Sequence, residues 1–123
     1  MISPSEAKRR AADKLAGFPP EIQAAYVAFA ETGNPERLDE VVLGVLKNFL
    51  ASPPDESLGR LPGTTRLLED LGCDSLAIVD MLFLAESLFD IKISDEEMAK
   101  VTTLDALRES FRKKVLGDRT PAA

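Results

Sequence analysis

No histidine and no tryptophan occur among the 123 residues, and cysteine occurs once, as Cys73. Without histidine the chain lacks the commonest general base and the commonest metal ligand, so neither a catalytic group nor a metal site is expected. One cysteine cannot close an internal disulfide, which agrees with a reducing compartment. Although 45% of the residues are hydrophobic, no stretch approaches the roughly 18 uninterrupted apolar residues of a membrane span. The opening "MISPSEAKRRAADK" lacks the apolar run of a secretory signal, and a cytoplasmic protein is expected. The length suits one modest domain with a single core, or a smaller domain with an appendage.

Base is scarce where acid is dense. The net charge is −6, and residues 69 to 97 hold Glu69, Asp70, Asp74, Asp80, Glu86, Asp90, Asp95, Glu96 and Glu97 against Lys92 alone. Residues 98 to 119 reverse the balance, with Lys100, Arg108, Arg112, Lys113, Lys114 and Arg119 against three acids. Such a field disfavours nucleic acid and suits a partner with a basic surface. Taken alone it reads better as a solvated face kept for solubility.

What is present is helical in period. Ser3, Pro4 and Glu6 read as N-cap, N1 proline and capping-box glutamate. The helix they open should end near Ala16, with Gly17 as its stop, and its apolar face of Ala7, Ala11 and Leu15 is weak. A second helix is expected from Pro20, with Ile22, Ala25, Tyr26 and Phe29 on one face and Gly33 after it. Asn34-Pro35 restarts the chain. Leu38, Val41, Val42, Val45, Leu46, Phe49 and Leu50 then form the strongest amphipathic stripe, ended by Pro53-Pro54. Residues 52 to 66, "SPPDESLGRLPGTTR", make a long connection that Leu58 and Leu61 should anchor, because a free loop of that length is unusual.

Asp74 is expected to cap a helix running to Phe89. Ser94 to Glu97 form a capping box that opens a short helix carrying Met98 and Val101. Thr102 or Thr103 caps a last helix, with Leu104, Leu107, Phe111 and Val115 on one face and bases in its final turns. No stretch alternates as a strand. The fold class is all-α.

Within "LGCDSLAIVD", Ser75 poses the functional question. A serine hydrolase needs a base, usually histidine, and the G-x-S-x-G elbow is also missing, so hydrolysis is improbable. The alternative is a hydroxyl that another enzyme modifies. In the first turn of a helix, a phosphodiester would meet unpaired backbone N–H groups and the positive dipole end. Beyond it, Ile78, Met81, Leu82, Ala85, Leu88 and Phe89 fit an inward face, where burying Phe89 contributes roughly 1.5–3 kcal/mol. Leu76, Val79 and Phe83 fall on another face, flanked by Asp80 and Glu86. A helix with two apolar faces either sits mid-bundle or docks a partner, and spacing leaves both open.

The stretch "LLEDLGCDSLAIVDMLFLAESLFDIKISDEEMAKVTTLDAL", from Leu67 to Leu107, resembles the acyl carrier proteins of fatty acid and polyketide synthesis. The shared order is an acidic-Leu-Gly-x-Asp-Ser-Leu stretch, an acidic helix, Phe-Asp, an Ile-Pro-Asp-Glu-Glu-like turn and a Thr-Thr-leucine-like helix start. The resemblance extends over about residues 34 to 116. It implies a four-helix carrier-like bundle with a long first loop, and 4′-phosphopantetheine joined to Ser75 through a phosphodiester, with Asp74 and Leu76 beside it. Acyl groups would be held as thioesters on that arm. Leu76, Val79, Asp80, Phe83 and Glu86 would meet partners: a phosphopantetheinyl transferase and acyl-processing synthase enzymes with basic docking surfaces. Ala77 and Ser87 stand where the family commonly has acids, Lys92 replaces a common acid, and Ser94 replaces a usual proline.

Three segments are therefore expected: a helical extension over 1–33, the carrier-like domain over 34–118, and a flexible tail over 119–123. The extension is expected to pack on the bundle as extra core, the alternative being a docking or dimerisation arm. Cys73 reads as a small helix-entry residue rather than a reactive thiol. Two rival functions remain, an unmodified helical adaptor and an aminoacyl or peptidyl carrier. The latter more often shows Gly-Gly-x-Ser, and an adaptor has no need of the hydroxyl.

Overall fold

The computed structural model describes residues 3–117. Its helices are α1 (Pro4–Lys14), α2 (Pro20–Thr32), α3 (Pro35–Asn48), α4 (Ser75–Phe89), α5 (Asp95–Lys100) and α6 (Leu104–Leu116), with a 3-10 turn at Leu58–Arg60. Among the described residues the only extended pairing is an isolated bridge between Arg66 and Thr103. The segment 119–123, expected to be a flexible tail, lies outside the described residues.

The local chemistry sets the helix starts. Ser3, Asn34, Asp74, Ser94 and Thr103 each accept a first-turn N–H on a side-chain oxygen, relieving donors that a helix start leaves unpaired. The box at Ser94 and Glu97 is reciprocal. The one at Ser3 is not: Glu6 pairs instead with Arg9 and Arg10, whose cations outbid a neutral N–H for its carboxylate. Two ends fall short of expectation. α1 stops at Lys14, with Leu15 as its cap, because the fully buried Leu15 turns into the core. α3 stops at Asn48, before the prolines, as Leu50 turns inward.

One apolar core runs through the described chain. Leu38, Val41, Val42, Val45 and Leu46 of α3 meet Ile78, Met81, Leu82, Ala85, Leu88 and Phe89 of α4, and Leu104, Leu107 and Phe111 of α6. Ala7, Ala11, Leu15, Ile22, Ala25, Tyr26 and Phe29 of the first two helices belong to the same cluster. α2 approaches α3 closely at Gly44, where an added Cβ would stand 2.6 Å from Ile22 Cδ1. Aromatic rings join the extension to the bundle: Phe89 stacks edge-on against Tyr26, Phe29 and Phe111, with centroids 5.6, 6.0 and 6.3 Å away. Such offset contacts suit the ring quadrupoles.

The long connection is tied down at both ends. Leu58 is buried and Leu61 packs against the core. Farther on, Leu67 N–H donates to Thr102 O at 3.0 Å, Leu104 N–H to Thr65 O at 3.1 Å and Asp105 N–H to Gly63 O at 2.9 Å. The segment leading to Ser75 is thus pinned to the start of α6. Among the described residues no helix is long and apolar enough to cross a membrane.

Candidate functional site at the start of helix α4

The turn before α4 is built from its own charges. Arg66 pairs with Glu69 and Asp70, and its N–H also donates to the Asp70 carboxylate at 2.8 Å. These bonds hold the Asp70 carboxyl below the ordinary carboxylate range. Leu67 is fully buried below the turn and accepts the Cys73 N–H at 2.9 Å. Gly72 takes φ 64°, a left-handed conformation with no steric cost for glycine, and directs the chain into the helix.

Cys73 points inward and is buried. Burial, and then the neighbouring Asp74 charge, push its thiol above the usual value, so little thiolate forms near neutrality. Asp74 takes the N-cap and accepts the Leu76 N–H at 3.0 Å. Ser75 follows as the first helical residue of a 15-residue helix and is exposed. The N–H groups of Ser75 and Ala77 have no acceptor within the helix. A hydroxyl there is open to an incoming enzyme, and a phosphodiester formed on it would meet the positive end of the helix. The residues present fit a phosphopantetheine arm.

The second apolar stripe of α4 faces solvent. Leu76 is 65% and Phe83 56% exposed, with Leu68 of the preceding turn at 49%. Val79 is half-buried between them and Asp80 is exposed. The stripe is therefore outside the core rather than in the middle of the bundle. Glu86 differs from its neighbours. It is half-buried, and its carboxylate accepts the Ile93 N–H at 2.6 Å, closing the turn between α4 and α5.

Much of the acidity expected to face a partner is already compensated. Glu69 and Asp70 pair with Arg66, Asp90 with Arg10 at 3.0 Å, and Glu97 with Lys114 at 3.0 Å. Asp80, Asp95 and Glu96 take part in none of these pairs. The Arg66 cluster was visible in the sequence as an i, i+3, i+4 charge spacing. Nothing local marked the Glu86 bond or the Arg10 pair, whose partners are distant in sequence. A cleft of about 650 Å³ opens away from Ser75, between α2, α3, the 3-10 turn and Arg108, with Ile22, Leu43 and Leu58 among its lining.

The family described as the phosphopantetheine attachment site matches residues 40–110. The extension lies before that match. The "Acyl carrier protein" of Buchnera aphidicola subsp. Acyrthosiphon pisum is 43% identical over 71 residues, 58% of this chain and 89% of the relative. That of Thermotoga maritima is 26% identical over 76 residues, 62% of this chain and 94% of the relative. A third, from Desulforapulum autotrophicum, is 44% identical over 48 residues, 39% of this chain and only 62% of its own length. With the family matching more than half of the chain, across the Ser75 turn and the helices around it, the chain belongs to the acyl carrier proteins, whose prosthetic group is covalent 4′-phosphopantetheine.

Proposed function

We propose that Ser75 is the attachment point of 4′-phosphopantetheine and that the chain carries acyl groups for fatty acid, polyketide or related specialised lipid synthesis, with the cytoplasm as its setting. The observation that carries this reading is the exposed Ser75 hydroxyl at the first position of α4, held beside the Asp74 cap. When bound, the group supplies a terminal thiol on which acyl chains are held as thioesters. The chain's own residues do the rest. Asp74 fixes the helix start, and the unpaired amides of the first turn stabilise the phosphodiester. Leu76, Val79, Asp80 and Phe83 form the face offered to a phosphopantetheinyl transferase and to synthase enzymes.

Glu86 contributes to this face chiefly by fixing its far end, since its carboxylate is engaged with Ile93. The chain acts as a carrier and leaves catalysis to its partners. Its interior suits an acyl chain that slips between the helices, because Met81, Leu82 and Met98 are unbranched at Cβ and adjust readily. Residues 34–118 form the carrier unit in this reading, and residues 1–33 brace it.

The test is covalent. Incubated with coenzyme A and a broad-specificity phosphopantetheinyl transferase, the wild type should gain the mass of one phosphopantetheine, and Ser75→Ala should gain none. A folded wild type that gains no mass would favour the unmodified adaptor.

A further inference from the structure

The end of α4 farthest from Ser75 is held by the extension. Helices leave their last carbonyls without intrahelical donors, and that end carries partial negative charge. Here Arg10 of α1 supplies what is missing. One guanidinium nitrogen lies 3.0 Å from the Asp90 carboxylate, and the same nitrogen is 3.4 Å from both Ser87 O and Leu88 O. Tyr26 of α2 donates its hydroxyl to Leu88 O at 2.5 Å. Asp90 itself takes the left-handed conformation, φ 55°, which ends the helix and turns its carboxylate toward Arg10.

The pairing redistributes charge along the docking face. α4 and its caps hold four acids, Asp74, Asp80, Glu86 and Asp90. Asp90 is balanced by Arg10, while Glu86, like Asp74 at the other end, is engaged with a backbone N–H. Asp80, which takes part in none of these contacts, lies in the stretch from Ser75 to Phe83 together with exposed Leu76 and Phe83. Arg10 holds the position that a basic residue of a docking enzyme would otherwise take.

Building on the carrier reading above, we propose that Arg10 is a specificity-determining residue. It is an internal cation that withdraws the C-terminal end of α4 from basic docking surfaces and confines recognition to the stretch from Ser75 to Phe83. The partner this fits is an enzyme with an apolar docking patch for Leu76 and Phe83 and a single cation for Asp80. Enzymes that recognise a carrier through several cations along the whole helix are disfavoured, because charge complementarity sets the encounter rate and excludes mismatched partners.

The experiment measures kcat/KM of phosphopantetheinyl transfer to the full chain by a basic transferase, from about 20 to about 500 mM salt, where screening spans the relevant range. The wild type should show a shallow salt dependence. Arg10→Gln, which uncovers Asp90, should be faster at low salt by about two- to fivefold and show a steeper slope. Arg10→Gln combined with Asp90→Asn should return to the wild-type slope, which mere loosening of α4 would not do. Asp90→Asn alone, at a left-handed position that asparagine tolerates, leaves the Arg10 cation without its partner and should be slower at low salt with a still shallower slope.

An unaltered slope in Arg10→Gln overturns the proposal while leaving the carrier reading intact. So does an Asp90→Asn whose rate and slope equal the wild type's, which would show that the partner senses neither charge of the pair. Should Arg10→Gln fail to fold, the Asp90→Asn result still decides. A wild type that is never modified removes the carrier reading, and the proposal with it.

Discussion

At the scale of single residues, α4 carries two side chains that look alike in the sequence as docking groups and differ in their surroundings. Phe83 is a large apolar ring left 56% exposed, so its truncation leaves no cavity, and Phe83→Ala should change unfolding free energy by less than about 0.5 kcal/mol. Its effect should appear in docking, as a raised KM for the transferase or a synthase. Glu86→Ala should do the reverse. It strips the Ile93 N–H of its acceptor, and losing a hydrogen bond to a charged group costs about 1.5–3 kcal/mol. Denaturant melts beside transfer kinetics would separate the two. A large stability loss in Phe83→Ala, or none in Glu86→Ala, would reverse these roles. Charge reversal at Glu86 is therefore a poor probe of steering, and Asp80, exposed on the same face, is the better one.

At the scale of elements, the capping chemistry makes a prediction in pH. Glu97 closes the box that starts α5 and also meets Lys114 of α6. The Ser94 N–H, then Lys114, lower its carboxyl from an ordinary 4.5 to about 2. A depressed carboxyl binds protons more readily in the unfolded chain, so its contribution is complete above the unfolded value and is lost as pH falls through about 2. Glu97→Gln should accordingly flatten the fall in melting temperature between about pH 4.5 and 2. Identical acid profiles for the two proteins would show that the box does not bear on stability. Caps of this kind are also why the elements were legible. Asn34, Asp74, Ser94 and Thr103 marked helix starts by local chemistry, and the inward stripe of α4 followed from spacing alone. The ends were less legible, because Leu15 and Leu50 turn inward for tertiary reasons that no local rule contains. Ser75 was readable because its motif is contiguous. The Arg10 and Tyr26 contacts were not, since they join segments that only the fold brings together, and the Glu86 bond to Ile93 spans a seven-residue turn that no local motif marks.

At the scale of the whole molecule, the extension and the bundle share a core but divide the work. Tyr26 and Phe29 are fully buried against Phe89, and truncating one such ring typically costs about 3–5 kcal/mol. A small domain has only about 5–15 kcal/mol in total, so deleting residues 1–33 should lower the melting temperature by more than about 10 °C. The Ser75 turn draws on none of these residues. Its bonds run from Gly63, Thr65 and Leu67 to Cys73, Thr102, Leu104 and Asp105, all of them after the extension. The truncated chain, kept below its melting point, should therefore still gain one phosphopantetheine, seen by intact mass. A truncated chain as stable as the full one would make the extension an arm for a partner rather than a brace. A truncated chain that stays folded yet cannot be modified would mean that the transferase reads the extension directly, and that α1 and α2 belong to the docking surface.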